Sequence, residues 1–205
     1  SLGGIGQFLI ATSSWVFLMR IMSEFGSEIL AGYTIAIRVI MFTMMPAWGM
    51  ANAAATLVGQ NLGAKKPQRA EGSVWKTGKY NAFFLGFITL IYLIFANPII
   101  SLFNTDPEVF RYGAWALRII TAGYVFYGYG MVVIQAFNGA GDTKTPTYIN
   151  FFCFWILQLP LAYLTALYWN LGPQAIFWSI TLAETCIAVI GIWWFKKGNW
   201  KLVEV

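Results

Sequence analysis

Among the ionisable side chains in or beside the long apolar stretches of this 205-residue chain, Arg38, Glu184 and Asp142 are placed to do chemistry. A charge at the centre of a membrane helix costs about 2.5 to 3.5 kcal/mol on insertion scales, so it is kept where it is paired, wetted or used. Arg38 lies about nine residues into its apolar segment and Glu184 about ten, which puts both about 14 Å deep at a rise of about 1.5 Å per residue. Equal depth and opposite charge predict an intramembrane ion pair or a shared polar network, serving as a structural staple or as a proton-linked gate. Asp142 falls near a segment end, where a carboxylate can cap the following helix through Thr143 or Lys144. Histidine is absent, which removes imidazole acid/base chemistry, imidazole haem ligation and most zinc sites. Cys153 and Cys186 sit far apart in apolar runs, with the spacing of neither a metal pair nor a disulfide framework. Gly139-Ala140-Gly141-Asp142 superficially matches a nucleotide loop, yet it lacks the third glycine and the preceding strand. With no nucleophile elbow, Walker sequence or nucleophile and base pair, enzymatic chemistry is disfavoured and no cofactor is expected.

The elements that must position these residues are membrane helices. The composition is 59% hydrophobic and 10% charged, where soluble domains carry about 25% charged residues. Six apolar segments, roughly 2–22, 29–58, 80–103, 109–137, 147–169 and 174–195, are each long enough to span a bilayer. The fold class is therefore all-α: one polytopic lobe of about six transmembrane helices. Asp106-Pro107-Glu108 supplies an N-cap, a first-turn proline and a first-turn acid, so the fourth helix starts there. Thr145-Pro146 and Gly172-Pro173 repeat the device for the fifth and sixth. Pro46, inside the second segment, predicts a kink near Phe42–Pro46, and Asn97-Pro98 a similar one late in the third.

Nine of the 13 Lys and Arg fall after segments two, four and six: Lys65, Lys66, Arg69, Lys76, Lys79, Lys144, Lys196, Lys197 and Lys201. The positive-inside rule places that side, and with an even number of spans both ends of the segment, in the cytoplasm of a cell membrane. The net charge of +5 reads as a topology signal with anionic-lipid contact; the basic residues form no continuous stripe for nucleic acid. In the first segment Gln7 and Ser14 share a face and are expected to bond between helices. In the second, Met41, Met44, Met45 and Trp48 offer a soft surface for apolar ligands. Gly59-x-x-x-Gly63 permits close helix approach. The opening Ser1-Leu2-Gly3-Gly4 has no initiator Met and reads as the start of a piece of something longer.

Two stretches carry more information than periodicity. Residues 58–70 read VGQNLGAKKPQRA and residues 138–146 read NGAGDTKTP, each directly after a long apolar helix. Both resemble the motifs of the multidrug and toxic compound extrusion (MATE) transporters, and Gly198-Asn199-Trp200-Lys201 resembles that family's C-terminal tail. The resemblance implies twelve helices in two six-helix lobes around a central cavity, extruding cationic and amphipathic compounds against an inward flow of Na+ or H+. This chain would be the second lobe, its N-terminal partner lobe absent. By position Asp142, with Asn138 and Gly141 in its motif, matches an acid implicated in cation coupling in some members. Gln60 and Asn61 match the first motif and are read as ending the second helix and fixing the loop. Some members also carry a Glu inside the seventh helix, where the first helix here has only neutral polar residues. The nearest alternative is a lipid-linked oligosaccharide flippase of the same superfamily, whose diphosphate calls for intramembrane cations; Arg38 and Arg118 are the two available. A channel or structural membrane subunit is the remaining class.

Overall fold

The computed structural model describes residues 2–202, and all regular structure among them is helical. The order is α1 (Leu2–Ser23), α2 (Ser27–Gly63), α3 (Pro67–Ser101), α4 (Pro107–Thr121), α5 (Tyr124–Gly139), α6 (Lys144–Phe151), α7 (Leu159–Tyr163) and α8 (Gln174–Lys197). Wide π-helical turns, Phe152–Gln158 and Leu164–Tyr168, flank α7 and make residues 144–168 one continuous rod. A short 3-10 turn, Asn199–Leu202, closes the chain. Among the described residues five helices are individually long and apolar enough to cross a bilayer, and α4 with α5, taken together as one bent span, would be a sixth.

Side chains on the outside identify the solvent. Phe8, Phe42 and Phe83 are 69%, 78% and 79% exposed. A water-soluble monomer rarely shows so large an apolar patch, whereas lipid welcomes it. Inside, one buried cluster gathers Tyr33, Leu117, Ile176 and Phe177, and a second gathers Val58, Val74, Phe137, Phe195 and Trp200. Small residues set how closely the helices approach. A Cβ on Gly32 of α2 would come within 2.6 Å of the Val109 carbonyl oxygen and 2.8 Å of the Gly113 nitrogen on α4.

Helices two and three run past the apolar segments. α2 is 37 residues, about 55 Å, against a hydrocarbon core of about 30 Å. It continues unbroken through Pro46 and on to Gly63. α3 starts at Pro67, well before the apolar stretch from residue 80, because hydropathy detects only the part of a helix that meets lipid. Asp106 caps α4 as the residues require: its carboxylate accepts from the Glu108 and Val109 amides at 3.0 and 3.2 Å.

The fourth predicted segment, 109–137, is corrected by a break. α4 and α5 meet at Ala122-Gly123 with a 57° bend. No proline causes it. A Cβ at Gly123 would sit 2.8 Å from Thr181 Cγ2 of α8, so this corner is pressed against that helix. Carbonyls at the break need donors inside the membrane. Thr181 Oγ1 donates to the Ile119 carbonyl at 2.8 Å, and Thr89 Oγ1 of α3 donates to the Thr121 carbonyl at 2.8 Å. Proline acts instead in the 144–168 rod. Pro160 has no N–H for the ladder and would clash with an ordinary preceding turn, and the π-helical stretch of Phe152–Gln158 leads into it.

Candidate binding cavity

Both sequence motifs fold into the same turn. At the end of α5 the Asp142 amide donates to the Phe137 carbonyl at 3.0 Å and the Gly141 amide to the Asn138 carbonyl at 3.1 Å, with Gly141 at φ 83°. At the end of α2 the Lys66 amide donates to the Asn61 carbonyl at 2.8 Å and the Lys65 amide to the Leu62 carbonyl at 2.8 Å, with Lys65 at φ 57°. This is the Schellman arrangement, a left-handed residue closing a helix. A proline then stands in the first turn of the next helix, Pro146 or Pro67.

Within the second turn Asp142 is a cap. One carboxylate oxygen accepts from the Thr145 amide at 3.0 Å and the other from the Thr145 hydroxyl at 2.6 Å. The partner is thus Thr145 rather than Thr143 or Lys144, because Asp142 sits one turn before the first free amides of α6. Asn138 exchanges amide hydrogen bonds with Gln7 of α1, at 2.9 and 3.3 Å, which meets the expectation for Gln7. Gly59 lies close to α5, where a Cβ would be 3.1 Å from the Gly139 carbonyl oxygen, but Gly63 has no neighbour within 4 Å of that position. The close approach is made by Gly59 and Gly139, not along the whole Gly59-x-x-x-Gly63 face. Gln60 and Asn61 end α2 as expected, the Gln60 carbonyl accepting from Ala64 at 3.0 Å. Both also line an open depression of about 570 Å³ edged by Lys66, Arg69 and Lys76.

Arg38 and Glu184 do not meet. Among the described residues the ion pairs are Arg20–Glu24, Glu108–Arg111 and Glu71–Lys201. Equal depth along two helices does not by itself bring side chains together, because azimuth decides contact. The face of α2 formed by Tyr33, Ile37, Ile40, Met41, Met44 and Trp48 looks into a cavity. Arg38 stands about 110° round the helix from the middle of that face and is exposed. Arg118 likewise lies outside the cavity and donates to the Leu93 carbonyl at 3.2 Å.

Glu184 lines that cavity, a chamber of about 350 Å³ bounded by α1, α2, the α4–α5 corner, the π-helical Phe154 and Gln158, and α8. Its walls are mostly apolar and aromatic, with Trp15, Tyr33, Trp48, Tyr124, Tyr127 and Phe154 among them. Among the described residues, Glu184 is its one charged lining residue. A smaller chamber of about 150 Å³ shares Trp48, Tyr127, Phe154 and Glu184 with the first and adds Gln135 and Asn150. Glu184 therefore marks the waist between two cavities. No described residue gives its carboxylate a hydrogen bond or an ion pair, and the insertion cost of about 2.5 to 3.5 kcal/mol is not offset by the lobe itself. The chamber's volume and lining are those of a small-molecule site, with a few polar groups in an apolar cleft.

A family model for MatE matches residues 5–164, more than half of the chain. The chain belongs to the MatE family. The MatE lobe is 27% identical over 198 residues to a probable multidrug resistance protein NorM of Thermotoga maritima, covering 96% of this chain and 42% of that protein. A protein of the same name from Pasteurella multocida is 31% identical over 184 residues, covering 82% of this chain and 38% of its own length. The chain thus spans less than half of these relatives. In fold it matches a solved MOP superfamily transporter from Pyrococcus furiosus with a TM-score of 0.90 at 22% identity, over 100% of this chain and 46% of that one. This is a multi-pass membrane protein of the MATE transporter fold. The α4–α5 break and the Glu184 waist escaped the sequence reading, although Ala122-Gly123 and the threonines Thr89 and Thr181 were the available signals.

Proposed function

We propose that this lobe is the C-terminal half of a secondary multidrug efflux transporter, which exchanges cationic and amphipathic compounds for Na+ or H+. The observation that carries the reading is the chamber of about 350 Å³, apolar and aromatic, held inside a lobe of MATE fold. The names of the relatives from Thermotoga maritima and Pasteurella multocida support multidrug resistance as the activity of the whole protein. An N-terminal lobe completes the central cavity, membrane lipid surrounds both, and the basic loops put both ends of this segment in the cytoplasm. A lipid-linked oligosaccharide flippase is the weaker reading, since neither Arg38 nor Arg118 lines the chamber to meet a diphosphate.

The test uses the full-length protein in proteoliposomes loaded with ethidium. An imposed Na+ or H+ gradient is expected to drive ethidium against its own gradient, and residues 2–202 alone are expected not to do so. Downhill leak that ignores the ion gradient would make the protein a channel and overturn the proposal. Translocation of a lipid-linked oligosaccharide without ethidium transport would favour the flippase.

A further inference from the structure

We infer that the Glu184 waist is the seat of a monovalent organic cation, with Trp48, Tyr127 and Phe154 forming its aromatic walls. The inference rests on the efflux reading and adds to it a place and a charge rule for the substrate. Four residues are common to both chambers: one carboxylate and three aromatic rings. An onium or ammonium centre placed there holds the carboxyl group ionised and meets ring faces as well, the combination that selects a poorly hydrated organic cation over a neutral molecule.

What surrounds the waist fixes the rest of the ligand. The larger chamber is lined by Ile37, Ile40, Met41, Met44 and Ile180 and suits an apolar body, with methionines that adapt to its shape. The smaller chamber offers Gln135 and Asn150, suited to a polar substituent or retained water. Among the described residues no Lys or Arg lines either chamber, so none of them competes for the carboxylate or invites an anion. One acid implies one positive charge: a dication would leave the second charge without a partner in an apolar cleft.

The decisive comparison is between tetraphenylphosphonium, a permanent cation, and triphenylphosphine, a neutral molecule of related shape. Their binding to the full-length transporter in nanodiscs is measured for the wild type, Glu184→Gln and Glu184→Asp. Glu184→Gln is expected to weaken tetraphenylphosphonium by about tenfold or more, about 1.4 kcal/mol. Triphenylphosphine binding should stay within about twofold, and Glu184→Asp should recover most of the cation affinity. Equal tetraphenylphosphonium binding by wild type and Glu184→Gln overturns the inference and leaves efflux standing. Loss of both probes in Glu184→Gln assigns Glu184 to packing and also overturns it. So does a Glu184→Gln protein that keeps tetraphenylphosphonium but loses its response to Na+, which would make the waist an inorganic-ion site. Wild-type protein that binds tetraphenylphosphonium through Glu184 yet shows no ion-driven efflux sinks the transport reading alone.

Discussion

Replacing Asp142 separates capping from charge. Its two oxygens hold the Thr145 amide at 3.0 Å and the Thr145 hydroxyl at 2.6 Å. Asn keeps an acceptor for the amide, and the hydroxyl can turn to accept from the new NH2, so Asp142→Asn loses mainly the charge at the helix start, about 0.5 kcal/mol. Asp142→Ala loses both acceptors, about 1.5 kcal/mol. For a domain of this size those figures correspond to melting shifts of about 1 to 2 °C and about 3 to 6 °C. The measurement is the thermal midpoint of the full-length protein, followed by maleimide labelling of Cys153, which is buried in the folded lobe. Ion-driven ethidium efflux is read on the same preparations, and Asp142→Asn is expected to retain it. An Asn variant that melts with the wild type but has lost ion-driven exchange would refute the capping assignment. Asp142 would then take the coupling role that the family resemblance implies.

Six other substitutions test the packing. Gly32→Leu should abolish a monodisperse chromatographic peak, because the clash is with Val109 and Gly113 backbone that cannot yield, whereas Gly63→Ala meets nothing and should stabilise by about 0.5 to 1 kcal/mol. Thr181→Val removes the shorter of the two bonds to the Ile119 carbonyl, leaving that of the Ala122 amide, and should cost about 0.5 to 1.5 kcal/mol in thermal unfolding. Arg38→Gln should change stability by less than about 1 kcal/mol; a loss of about 3 to 5 kcal/mol would mean that Arg38 has a buried partner after all. Trp200→Ala should free the tail to trypsin cleavage after Lys197, since Trp200 stacks on Phe195 at 4.5 Å and donates to its carbonyl at 3.0 Å. Glu71→Gln, which removes only a partly exposed ion pair with Lys201, should leave the cleavage rate near that of the wild type.

Helix number and order were legible in the amino acids because lipid imposes one rule on every span, a long apolar run closed by capping chemistry. Asp106-Pro107 and Gly172-Pro173 marked their helix starts to within a residue or two for that reason. The reach of α3 back to Pro67 was hidden because its first turns are polar. The corner at Ala122-Gly123 was hidden more deeply: Gly within an apolar run is common, and only Thr89 and Thr181, distant in sequence, make the bend tenable. The candidate site divides in the same way. That Glu184 needs an explanation follows from its cost in lipid. That the explanation is a cavity and not Arg38 depends on which way each helix faces, and residue spacing sets that angle only relative to neighbours on the same helix.

Thr181 and Glu184 are three residues apart on α8 and so share one side of it. Thr181 holds the Ile119 carbonyl at the 57° corner, and Glu184 holds the only charge that the described residues turn toward the chambers. A helix moves as a rod, and neither side chain can be carried far without the other. A slide or roll of α8 by about 1 Å would draw the 2.8 Å threonine bond beyond hydrogen-bonding range. The carbonyl would then be left with only the longer bond it already accepts from the Ala122 amide, at 3.3 Å. Whatever pulls on the carboxylate therefore pulls on the elbow of the neighbouring span, and α8 acts as a push-rod between the contents of the chamber and the angle of its wall.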